Sequence, residues 1–326
     1  MPAIHLRSAT GLLFALSLLA HTAQGATLWL SDKSPHAGHG GAHAHGGPVQ
    51  IRRGVYYKQL WLRLGDGPQD SGYVVQGTQF SPLILLDTKG EIKEHEIKRG
   101  KQHGMLNVDF AMPDEGFYNA YVSHTWVDQG TRQIQIAKAE VLKHSCREGH
   151  DNIQPKMPPK HNSDVALEIV RERLPGENFH TKLGSGDKLS FQLLHYGKPV
   201  PKATVTFTSA TGWSKQVISD SDGRIHLTML RDYFPAWPMF NKGQSQPYLL
   251  ATELALPESG ELDGKDYSQT LVKASYAGNY YPSPRDYESY GYGLALGVAA
   301  LFLSGVGIYF FRRRRSRPYR EVRFDE

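Results

Sequence analysis

Four imidazoles stand within ten residues, His36-Ala37-Gly38-His39-Gly40-Gly41-Ala42-His43-Ala44-His45, on a backbone otherwise built of Gly and Ala. Neutral imidazole nitrogen suits zinc, nickel, cobalt and copper(II), and a Gly/Ala backbone lets ligands at several spacings turn toward one ion. The entropy of ordering such a loop makes the site adaptable rather than selective. The composition predicts a metal-catching loop at 36–47, against the plainer reading of a solvated linker. A second set follows at His144, Cys146 and His150, with two nitrogens and a soft sulfur within seven residues. It could hold zinc, copper(I) or nickel, although the spacing matches no standard zinc module. Cys146, the single cysteine, serves equally well as a small buried residue.

The flanking segments place these donors outside the cytoplasm. Residues 1–25 carry Arg7, an apolar stretch from Ala9 to Ala20, and Ala23-Gln24-Gly25, the pattern of a cleaved export signal. Tyr290 to Phe311 is free of charge and long enough, at ~1.5 Å per residue, to cross a hydrocarbon core of ~30 Å. Arg312, Arg313, Arg314, Arg315 and Arg317 follow at once, so the positive-inside rule predicts a cytoplasmic tail at 312–326. The expected location is the bacterial inner membrane, single-pass, with the bulk of the chain in the periplasm. Gly293 and Gly297 form a GxxxG, a pattern that permits a homodimer through the helix.

The formal charge of +5 does not argue for nucleic acid, because the tail with its seven arginines supplies +4 of it and Arg7 belongs to the signal. A lone cysteine allows no intramolecular disulfide, so the exported part must rest on its own cores.

Between signal and anchor the periodicity predicts strands. Val55–Leu64, Tyr73–Gln76, Phe80–Leu86, Val108–Phe110, Phe117–Thr125 and Gln133–Val141 are rich in β-branched and aromatic residues and separated by Gly, Asp and Pro. The charged run Glu91 to Lys101, flanked by His95 and His103, reads as an exposed hairpin. Residues 144–163, with Pro155, Pro158 and Pro159, read as a linker between a β domain at 26–143 and a second at 164–280. The fold class expected is all-β, two β-sandwich domains of Ig-like or transthyretin-like type plus one C-terminal transmembrane helix at 290–311.

The second domain carries the most specific pattern. Gly197-Lys198-Pro199-Val200-Pro201-Lys202-Ala203 precedes a strand at Thr204–Thr208, and Asp220-Ser221-Asp222-Gly223-Arg224 precedes another at Ile225–Thr228. Asp222-Gly223 is expected to form a tight turn through positive backbone angles. Together these resemble the transthyretin-like or carboxypeptidase-regulatory-like β-sandwich. A β domain followed by this sandwich in an exported chain is similar to the periplasmic nickel-uptake and cobalt-transport component family. That resemblance implies a transition-metal cargo and a metal permease as partner. The family's mature start resembles His-x-x-Trp-Leu; here Ala26-Thr27-Leu28-Trp29-Leu30 keeps Trp-Leu without the histidine, and the tract downstream is the expected substitute.

His124, His195 and His226 stand without partners in sequence and are expected to be ordinary strand residues. Asp220 and Asp222 lack the further acids of a calcium loop. No nucleophile elbow, His-Glu-x-x-His helix or phosphate-binding glycine loop is present, and no enzyme is expected. The functional expectation is metal capture by His36, His39, His43 and His45, with His144, Cys146 and His150, in support of uptake of nickel, cobalt, zinc or copper. The alternative is an envelope scaffold whose sandwiches bind a protein or glycan.

Overall fold

The computed structural model describes residues 26–35, 49–75, 80–100, 104–145, 156–236 and 245–316, and residue 324. The first half contains β1 (Leu28–Ser31), β2 (Val49–Arg52), β3 (Val55–Leu64), β4 (Gly72–Tyr73), β5 (Leu83–Leu86), β6 (Ile92–His95), β7 (Lys98–Arg99), β8 (Leu106–Met112), β9 (Gly116–Asp128) and β10 (Thr131–Lys143). The second contains β11 (Glu168–Arg171), β12 (Lys188–His195), β13 (Lys198–Pro199), β14 (Thr204–Thr208), β15 (Ser214–Ile218), β16 (Arg224–Thr228), β17 (Gln246–Leu256), β18 (Gly260–Leu262), β19 (Lys265–Tyr267) and β20 (Gln269–Tyr280). Among the described residues the only α-helix is α1 (Arg285–Arg315).

The protein is mostly β, and one long sheet organises it. Eight strands run in the order β15-β14-β17-β20-β10-β9-β5-β6. The two halves therefore meet inside a sheet, where β10 and β20 pair in parallel from Thr131↔Gln269 to Ala139↔Ala277. Because successive side chains point to opposite faces, this sheet serves two cores. On β9 and β10, Tyr118, Ala120, Val122, Ala137, Ala139 and Val141 face a sheet built on β1, β3 and β8, and pack against Leu28, Leu60, Leu62, Val108 and Phe110. On the opposite face, Val205, Phe207, Tyr248, Leu250, Val272, Ala274 and Tyr276 pack against Ile169, Leu189, Phe191 and Leu193 of the small β11–β12–β16 sheet. Ile136 of β10 joins this second core. The two sandwiches thus lie on opposite faces of one common sheet.

Local chemistry explains the main elements. β9 and β10 form a hairpin closed by Gln129 and Gly130, both at positive φ (46° and 73°), the turn whose twist matches paired strands. At Asp220–Arg224 the outcome differs from expectation. Only Gly223 of the Asp222-Gly223 pair has positive φ, and Asp220 Oδ1 accepts the backbone N–H of both Asp222 and Arg224. The aspartates build a turn held by a side chain.

The described part of the Glu91–Lys101 run, residues 91–100, is not a hairpin. β6 pairs with β5 in the long sheet, while β7 pairs with β8 in the facing one, so this segment crosses from layer to layer. Of the 144–163 segment, residues 146–155 lie outside the described part, while Met157 and Asn162 are buried against the sandwiches. In α1, the stretch Tyr290–Arg315 is long and apolar enough to cross a membrane and is exposed throughout. It makes no core with the sheets.

Candidate functional site

Six of the seven ligands expected from sequence, His36, His39, His43, His45, Cys146 and His150, lie outside the described residues. His144 is described, and its position follows from strand pairing. Lys143 closes the β9–β10 ladder opposite Gly116, which sets the residues just beyond each strand side by side. Glu115 Oε1 accepts the Ser145 N–H at 2.7 Å and lies 3.5 Å from His144 Nδ1.

A second imidazole arrives from a turn far along the chain. Asn178 and Thr181 brace this turn: His180 N–H donates to Asn178 Oδ1 at 2.8 Å and Asn178 N–H to Thr181 Oγ1 at 3.0 Å. Phe179 anchors it, buried against Phe117 and Met157. The His144 and His180 rings consequently meet at 4.5 Å between centroids, at 87° to one another. The edge of one ring faces the plane of the other, so two nitrogens converge on one ion only after a ring rotation. Among the described residues no group of three or more His, Cys, Asp and Glu side chains is set to hold a metal ion. Two nitrogens and a carboxylate fall short of the usual four-coordinate zinc set unless further donors join them.

His180 also lines a cleft of about 380 Å³ between the common sheet and the 177–183 segment, with Glu140, Arg171, Glu177, Tyr276 and Tyr281 among its walls. The charged groups here are locked together. Arg171 donates to both oxygens of Glu177 at 2.9 and 2.7 Å, and Arg173 donates to both oxygens of Glu140 at 2.6 and 2.9 Å while its guanidinium lies 3.6 Å from the Phe117 ring centre. Burial pushes the Glu140 carboxyl up, but Arg171 and Arg173 outweigh it and bring it down to about 2. Burial likewise acts upward on Glu177, and its bond to Arg171 leaves it below the usual carboxylate range. Tyr276, deep in the wall, is pushed up by burial and by Glu140. Charges committed to one another are poor proton donors or acceptors, so the cleft has the character of a structural seam with a polar floor.

The scattered histidines are ordinary, each with a local partner. His124 stacks on Trp126 at 4.5 Å, His195 packs against Tyr196 at 4.8 Å, and His226 Nδ1 shares a 2.9 Å hydrogen bond with Ser190 Oγ. His95 lies against Phe110, where burial lowers its proton affinity. His180 and Glu115 are the site residues that sequence reasoning misses. Neither has a donor-like spacing to His144, and only the register of β9 and β10 and the 178–181 turn bring them to it.

No family model and no curated protein matches the sequence. Solved structures overlay loosely. A tetra-tandem repeat in the extending region of a large adhesion protein is 11% identical over 78% of this chain and 49% of that one, with a TM-score of 0.21. SGBP-B of the Bacteroides ovatus mixed-linkage glucan utilization locus, in complex with a mixed-linkage heptasaccharide, is 10% identical over 78% of this chain and 61% of that one, with a TM-score of 0.16. The chain thus spans less than two thirds of either structure, and overlays this loose bear on neither fold nor function.

Proposed function

We propose that the chain is a membrane-anchored extracytoplasmic protein that binds a transition-metal ion, nickel, cobalt, zinc or copper, and supports its uptake. The observation that carries this reading is the meeting of His144 and His180 at 4.5 Å beside Glu115. Two imidazoles distant in sequence come together immediately before Cys146 and His150, donors already conspicuous by their spacing. The His36–His45 tract, borne between β1 and β2, supplies a second ligand-rich segment. Metal is taken up and released by ligand exchange among neutral imidazoles, and α1 holds the loaded protein at high effective concentration near a membrane permease. The arginines after Phe311 set the tail on the cytoplasmic side and the sheets on the other.

Calorimetric titration of the full chain in detergent micelles with nickel, cobalt, zinc and copper ions tests the proposal. Two variants are compared with the parent, one with His36, His39, His43 and His45 changed to Ser, the other His144→Ala with His180→Ala. Micromolar or tighter binding that weakens in either variant locates the ligands. Tight binding unchanged in both variants overturns this choice of ligands, and equally weak binding in all three proteins overturns the metal reading and leaves an envelope scaffold as the better description.

A further inference from the structure

The last strand hands the chain to α1 through Tyr281–Pro284, and this joint is pinned at several points. Ser185 N–H donates to the Tyr281 carbonyl at 2.8 Å, and Ser283 N–H donates to Ser185 Oγ at 3.0 Å. Asp286, the second residue of the helix, is buried; it accepts from Ser185 Oγ at 2.8 Å and from Arg231 Nη1 at 2.6 Å. The start of the helix is therefore part of the second sandwich.

The candidate span opens at Tyr290. It stands four residue steps along the helix from Asp286, roughly 6 Å at 1.5 Å per residue. The interfacial layer on each side of a hydrocarbon core is itself roughly 5–8 Å deep. Whatever is bonded to Asp286 accordingly lies at the level of lipid headgroups. That partner is the loop after β16. Arg231 holds it to Asp286, and Asp232 Oδ1 holds it to the end of β20 by accepting the Tyr280 hydroxyl. Phe234, three residues beyond Arg231 and so within about 10 Å of it, is 54% exposed. Arg231, Arg285 and Lys182 surround the joint with exposed cationic side chains.

We infer that the Met229–Ala236 loop is a second membrane contact, with Phe234 entering the headgroup layer of the leaflet that α1 enters and Arg231, Arg285 and Lys182 set against lipid phosphates. Aromatic rings and long basic side chains are the groups that favour this depth. A single exposed Phe on a soluble surface is unremarkable; one tied to the root of a spanning helix is presented to lipid by the fold. The inference rests on α1 being an anchor. Two attachments fix the tilt of the sandwiches, and because Lys182 and Tyr281 also line the cleft, the cleft is held close to the bilayer.

The test uses the full chain with Cys146→Ser and one new cysteine, Ala236→Cys, Leu301→Cys or Glu261→Cys, the last exposed in the β18–β19 hairpin at the end of β20 away from Tyr280, carrying an environment-sensitive fluorophore. Each is reconstituted in vesicles of phosphatidylethanolamine and phosphatidylglycerol containing nitroxide-bearing lipid. Position 236 is expected to be quenched several-fold more than position 261 by headgroup nitroxide, and added Phe234→Ser or Asp286→Asn to reduce that quenching. Position 301 is expected to respond to nitroxide deep in the acyl chain. Quenching at 236 no greater than at 261, with 301 still quenched, overturns the loop contact and leaves the anchor standing. No quenching at 301 overturns the anchor and the inference with it.

Discussion

Lys138 Nζ lies 2.6 Å from Glu168 Oε1 with both side chains 2% exposed, and the pair bridges the sheet shared by the two halves to the first strand of the second sandwich. Glu168 is fully used, since it also accepts the Tyr121 hydroxyl at 2.7 Å and the Asn162 N–H at 2.9 Å. Removing one member strands a buried charge. Lys138→Met alone is expected to cost about 3–5 kcal/mol. The double change Lys138→Met with Glu168→Gln is expected to cost less than the sum of the singles, because the carboxylate no longer needs a counter-ion while an amide oxygen still serves Tyr121. Chemical denaturation of the full chain in micelles, followed by tryptophan fluorescence, gives the coupling.

Acid is expected to loosen the seam. Glu140 has its carboxyl at about 2 in the fold against 4.5 in the open chain. A depressed folded value means a contribution fully present above pH 4.5, declining below it and gone once pH falls past about 2. The denaturation midpoint, measured at steps of pH from 6 down to about 2, is expected to drop most steeply in that window. Glu140→Gln is expected to be less stable at neutral pH, with Arg173 left short of its partner, and to show a shallower acid slope.

Gly278 faces the ring of buried Tyr248 so closely that a Cβ there collides with it. Gly278→Ala is expected to destabilise by about 1–3 kcal/mol, the range for overpacking. Adding Tyr248→Leu is expected to recover part of the loss by vacating the ring's space. Thermal unfolding of the three proteins decides; full stability in Gly278→Ala refutes the close fit.

Protons compete with metal for imidazole, so if the proposed capture by the His36–His45 tract holds, that binding is expected to weaken as pH falls through about 6.5, the unperturbed histidine value. Isothermal titrations at pH values either side of it check this. A pH-independent affinity points to carboxylate ligands instead.

Much of the fold was legible because most strands follow simple chemistry. Val55–Leu64 is expected as a strand from its aromatic and β-branched content and is β3 residue for residue. The Gly197–Ala203 pattern leads into β14 as its turn signals require. Register between distant strands leaves no mark in local periodicity, so the parallel union of β10 with β20 was invisible. Lys138, Glu140, Glu168 and Arg171 obscured the same region, since charged residues in a strand usually mark a solvated face, whereas here they neutralise one another within the protein. Of the expected ligands only His144 falls on described residues, and its companion His180 lies in a turn with no motif to announce it.

The position of β20 has a consequence for assembly. It fills the gap between β17 and β10, its pairing with β10 joins residues more than a hundred apart along the chain, and it is followed almost at once by α1. Contacts this remote form slowly. Until Gln269–Tyr280 is made, two long strand edges stand open to any other unfinished chain, the condition that favours aggregation. Completion of the sheet and synthesis of α1 thus follow one upon the other, and a chain cut short before Gln269 lacks the apolar helix and its protection against self-association in the same event.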